Sequence, residues 1–67
     1  MDIQRAIATL TPAQRQAIVL HYLLDMSVEQ IAKETGRPTG TVKTNLARGR
    51  AALADLLRPQ LEVSVDV

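Results

Sequence analysis

With 67 residues and no cysteine, the chain makes one domain near the lower size at which an apolar core alone suffices, and its single histidine rules out an ordinary zinc site. Tyr22 is the only aromatic residue, and an aliphatic, Ala-rich core favours helices over sheets, so the expectation is an all-α protein without cofactors. The net charge of +1 hides an asymmetry: from Gln30 to Arg50 stand Lys33, Arg37, Lys43, Arg48 and Arg50 against Glu34 alone, while the remainder is acidic on balance.

Ile3, Ile7 and Leu10 recur at helical spacing and predict a short amphipathic helix ending before Thr11. Thr11-Pro12-Ala13-Gln14 combines capping-box spacing with proline at the first helical position, so a second helix is expected from Pro12 to about Leu24. Its apolar surface is too broad for one packing face, which makes Leu20, Leu23 and Leu24 candidates for docking a protein partner. Ser27-Val28-Glu29-Gln30 repeats the capping-box pattern and opens a third helix to about Thr35, stopped by Gly36 with Pro38 behind it. From Thr39 onward, Val42, Leu46, Gly49, Leu53 and Leu56 or Leu57 define the buried stripe of a longer fourth helix, which Pro59 is expected to end. Residues 60–67 alternate like a strand but have no second strand to pair with, so the division is a domain over 1–58 and a flexible tail over 59–67.

The third and fourth helices, joined by a tight glycine-containing turn, read as a C-terminal helix-turn-helix in which the second helix enters the major groove of DNA. With Val42, Leu46 and Gly49 inward, Thr41, Lys43, Thr44, Asn45, Ala47 and Arg48 point outward or sideways. Those residue types suit base edges: Arg and Lys donate to guanine, Asn pairs with adenine, and Thr or Ala meets the thymine methyl, with Arg48 the best single reader. The free N–H groups around Gly40 and Thr41 suit a phosphate oxygen. Lys33, Arg37 and Arg50 are expected on flanking phosphates, where they add affinity without sequence information.

Three segments in this order resemble region 4 of bacterial extracytoplasmic-function (ECF) sigma factors: residues 10–16 (LTPAQRQ), 24–32 (LDMSVEQIA) and 40–53 (GTVKTNLARGRAAL). The resemblance covers about residues 3–57. It implies a four-helix domain that recognises the −35 element of double-stranded promoter DNA and docks on the β flap of core RNA polymerase, with an anti-sigma factor as a further partner. By the family's pattern, Lys43, Thr44, Ala47 and Arg48 face the bases, while Arg37, Thr39 and Thr41 contact the backbone at the start of the helix. Asn45 stands where the family usually has arginine, which is expected either to alter sequence preference or to weaken a phosphate contact, and Gly49 where alanine is common. The resemblance also implies an upstream domain that reads the −10 element. It has no counterpart in these residues, so the expectation is an excised domain with an artificial Met1 that binds duplex DNA without initiating transcription.

A LuxR-like response-regulator output domain shares Leu10-Thr11-Pro12, Ile31-Ala32 and Thr41-Val42-Lys43, but Leu46-Ala47-Arg48-Gly49-Arg50 favours the sigma pattern, and the rival usually has histidine near Asn45. A second alternative is a module that acts mainly by protein docking through Leu20, Leu23 and Leu24. An enzyme is not expected, because no phosphate loop, metal cluster or nucleophile motif is present. His21 reads as a core-edge or interface residue rather than a catalyst, and Asp25 and Glu29 as helix-start residues rather than a catalytic carboxylate pair. No apolar run reaches the roughly 20 residues of a membrane span. The start, Met1-Asp2-Ile3-Gln4, lacks the order of a signal peptide, so a cytoplasmic location is expected, with no membrane or small-molecule partner.

Overall fold

A computed structural model describes residues 2–65, with side chains as far as Arg58. Four helices stand among the described residues: α1 (Ile3–Ala8), α2 (Pro12–Ile18, continued by a π-helical turn over Val19–Leu23), α3 (Val28–Thr35) and α4 (Thr39–Val65). This is the expected all-α architecture, and none of the described helices is long and apolar enough to cross a membrane.

The helix starts follow from their capping residues. Thr11 and Ser27 each accept a hydrogen bond from the backbone three residues on, and Gln14 and Gln30 reach back to accept from the cap N–H, so both capping boxes are complete. Each box satisfies two N–H groups that an uncapped helix start leaves unpaired. Asp2 caps α1 in the same way, accepting from the Arg5 N–H at 2.8 Å. At the far end of α1, Arg15 of α2 donates to the Ala8 carbonyl, which ties the first two helices together.

The core is a cluster of Leu10, Ala17, Ile18, Ile31, Val42 and Leu46, with Ile31 and Val42 almost wholly withdrawn from solvent. Ala6 is the fully buried residue of α1, whereas Ile3 is 51% exposed, so the short helix presents alanine to the core and leaves its first isoleucine at the surface. Gly49 faces Ile18 where α4 packs on α2. A Cβ at that position would sit 2.8 Å from Ile18 Cγ1, so glycine lets α4 approach α2. No polar or charged side chain is buried among the described residues.

Two segments differ from the sequence expectation. The second helix is not a uniform α-helix to Leu24: its last turn widens to i→i+5 bonding, with Leu24 N–H on the Val19 carbonyl at 3.2 Å. It closes on Asp25 in the left-handed conformation (φ 57°), with Met26 N–H reaching back to the Leu20 carbonyl. A short polar residue such as Asp tolerates that backbone better than most. The fourth helix does not end at Pro59; its backbone stays helical to Val65. An interior proline removes one N–H donor, here the one facing the Asp55 carbonyl, and the helical bonds on either side carry the backbone past it. Asp66 and Val67, expected as part of a frayed tail, lie outside the described residues.

Candidate nucleic-acid interface

The turn between α3 and α4 is built from three residues with restricted backbones. Gly36 takes a left-handed φ of 72° and donates its N–H to the Ala32 carbonyl, ending α3. Pro38 holds Arg37 away from the helical region and supplies the carbonyl that accepts from Val42 N–H, the first bond of α4. The N–H groups of Thr39, Gly40 and Thr41 lie ahead of that bond with no intrahelical carbonyl to reach, and all three residues are exposed. The start of α4 therefore presents unpaired donors and the positive end of a helix dipole to solvent.

Val42, Leu46 and Gly49 are buried, which fixes the rotation of α4 about its axis. The opposite face carries Lys43, Thr44, Ala47 and Arg48, all exposed and contiguous at helical spacing. Lys43 and Arg48 make no hydrogen bond or ion pair with any described residue, so both cations stand ready for an external acceptor. Lys33, in the last turn of α3, is likewise exposed.

Three residues of the expected site sit differently. Asn45 is half-buried at the margin of the core stripe instead of standing in the exposed row. Arg50 lies on the flank of α4 that Leu46 and Leu53 share, and its guanidinium donates to the Tyr22 hydroxyl at 2.9 Å. Arg37 is half-buried and donates to the Gln16 side-chain carbonyl on α2, also at 2.9 Å. Nothing in the sequence marks Tyr22 and Gln16 as partners of these arginines. They lie 28 and 21 residues away in the chain, where helical periodicity carries no signal.

A second surface lies at the end of α2. Leu23 and Leu24 are 69% and 62% exposed and adjoin exposed Tyr22, whereas Leu20 packs against the core and is not part of that patch. Beside them runs an open apolar cleft of about 410 Å³ lined by Ile3, Ile7, Ile18, Tyr22, Leu23 and Leu53, with Arg50 on its rim. His21, whose Nδ1–H donates to the Met26 carbonyl at 2.8 Å, holds the closing loop of α2 in place and packs edge-on to Tyr22. That is the structural role expected of it. Glu29 lies in the first turn of α3, where a carboxylate suits the helix dipole.

The capped α3, the fixed turn and the exposed cationic face of α4 together define a helix-turn-helix domain. The chain belongs to the sigma-70 region 4 family, whose model it matches over residues 1–53. It is 43% identical over 56 residues to the ECF RNA polymerase sigma factor SigW of Bacillus subtilis, covering 84% of this chain and 30% of that protein. It is 40% identical over 53 residues to the ECF RNA polymerase sigma factor SigC of Mycobacterium tuberculosis, covering 79% of this chain and 29% of that protein. The corresponding figures for the ECF RNA polymerase sigma factor SigE of Mycolicibacterium smegmatis are 39% over 56 residues, 84% and 22%. The chain thus spans less than a third of the length of these relatives. No solved structure matches it with significance.

Proposed function

We propose that this chain recognises the −35 element of double-stranded promoter DNA, as the DNA-binding domain of an ECF-type sigma factor in transcription initiation. The observation that carries the reading is the exposed row Lys43, Thr44, Ala47 and Arg48 on the second helix of a helix-turn-helix, with its two cations unengaged within the described protein. Membership of the sigma-70 region 4 family and the ECF sigma relatives support it. In this reading α4 lies in the major groove, Arg48 and Lys43 donate to guanine O6 and N7, and Thr44 and Ala47 meet thymine methyls. The free N–H groups of Thr39, Gly40 and Thr41 take a phosphate oxygen, and Lys33 and Arg37 flank it. Arg50, whose one bond to the neutral Tyr22 hydroxyl leaves its charge and remaining donors available, is a further phosphate contact, and Asn45 reaches a base from the margin of the row.

The apolar patch of Leu23 and Leu24, with Tyr22 beside them, is the proposed docking surface for the β flap of core RNA polymerase or for an anti-sigma factor. Exposed apolar side chains that cluster at one helix end, in a molecule this small, are a surface in search of a partner. The two surfaces use different residues, so DNA binding and docking proceed together.

Fluorescence anisotropy tests the DNA reading on a labelled duplex with a GGAAC-like −35 element against a shuffled duplex, at two low salt concentrations. The expected result is tighter binding to the element, with Arg48→Ala losing about 1–3 kcal/mol of that discrimination. Equal, salt-sensitive binding to both duplexes that Arg48→Ala leaves untouched overturns the assignment of α4 as the base reader.

A further inference from the structure

We propose that Gln16 is a positioning residue for DNA-backbone binding, holding the Arg37 guanidinium beside the start of α4 through the hydrogen bond between α2 and the turn. The inference rests on the DNA-binding reading above and extends it to a residue outside the helix-turn-helix. Arg37 occupies the one turn residue between left-handed Gly36 and Pro38, so its backbone is constrained from both sides. Its long side chain is fixed by one further contact, the 2.9 Å bond from a guanidinium nitrogen to Gln16 Oε1. Gln16 is exposed, but its backbone belongs to α2 immediately before the core residues Ala17 and Ile18. The bond therefore ties the guanidinium in the turn to α2.

The chemistry of the partner matters as much as its position. An amide carbonyl takes one of the five N–H donors of the guanidinium and leaves the rest, with the full positive charge, for a phosphate. A carboxylate in the same place would hold Arg37 as firmly but would neutralise it. Gln16 is thus an acceptor that orients the cation without cancelling it. Pre-ordering that side chain before DNA arrives removes part of the entropy that a free arginine loses on binding.

The test is a double-mutant cycle on the 67-residue chain, reading affinity and its salt slope on the −35 and shuffled duplexes, with a thermal melt of every variant. Gln16→Ala is expected to weaken binding about threefold to tenfold on both duplexes, the value of one lost ordering hydrogen bond. It should leave the salt slope unchanged because the charge remains. Arg37→Ala is expected to weaken binding and to reduce the slope by about 0.9, one phosphate contact, and in that background Gln16→Ala should have no further effect. Gln16→Glu is expected to lower both affinity and slope while leaving the melting temperature as it was. If wild type binds and Gln16→Ala costs the same with and without Arg37, Gln16 acts on DNA by itself and the positioning role is overturned. If wild type binds and Gln16→Ala is silent, the hydrogen bond has no part in binding. If wild type binds neither duplex, the DNA-binding reading fails and this inference falls with it.

Discussion

Gly49 shows how one atom decides the spacing of two helices. An alanine there gains about 1 kcal/mol of intrinsic helix propensity, but its Cβ meets Ile18 Cγ1 at 2.8 Å and Cδ1 at 3.1 Å. Overpacking of a filled core costs about 1–3 kcal/mol, and Ile18 is a core residue at 4% exposure, open only towards the cleft it lines. Gly49→Ala is therefore expected to lower the urea midpoint, and a raised midpoint would show that Ile18 has space the contact distances deny. The sequence marks Gly49 as an inward residue of close packing, because it falls on the stripe of Val42, Leu46 and Leu53. It does not mark the arginines' partners. Arg37, Arg48 and Arg50 look alike in a basic segment, yet one is tied to Gln16, one to Tyr22, and one has no partner among the described residues. Side-chain pairing across helices depends on tertiary placement, which local periodicity does not encode.

Elements with strong end signals are the ones most legible in the sequence. The limits of α3 follow from Ser27 and Gln30 at one end and Gly36 at the other, each residue having a specific backbone or hydrogen-bonding task. Ser27→Ala is expected to destabilise the domain by about 1 kcal/mol, the usual value of an N-cap side chain. Gly36→Ala is expected to cost about 1–2 kcal/mol, because its φ of 72° is strained for any residue with a Cβ. Denaturant titration of both variants checks these values, and an unchanged midpoint for Gly36→Ala would mean that the turn finds another conformation. The end of α2 was less legible. Its apolar run gives no sign that the bonding shifts to i→i+5 over Val19–Leu23, because helical spacing of apolar residues does not distinguish the two bonding patterns over a single turn. Pro59 misled in the opposite direction, since the helix runs beyond it. A proline disfavours an interior helical position without forbidding it.

At the scale of the whole molecule, the small core carries two exposed surfaces of different character. The exposed face of α4 is cationic and polar, and the end of α2 is apolar. Replacing Leu23 and Leu24 together by serine is expected to change stability by no more than about 0.5 kcal/mol each, as for other exposed positions. The same variant should bind DNA as wild type does while losing at least tenfold in affinity for a polymerase β-flap fragment. Loss of DNA binding in that variant would join the two surfaces into one. The basic segment was readable from the chain as a departure from a nearly neutral mean, whereas the apolar cleft beneath Arg50 required α1, α2 and α4 to be brought together.

The central claim, that α4 reads DNA through its exposed face, is tested most directly by following backbone amide resonances of the 15N-labelled chain as a −35 duplex is added at low salt. The largest shifts are expected at Arg37 and from Thr39 to Arg48, with Tyr22, Leu23 and Leu24 nearly unmoved. Shifts concentrated at Tyr22, Leu23 and Leu24 and sparing α4 would contradict that claim and leave the domain as a protein-docking module.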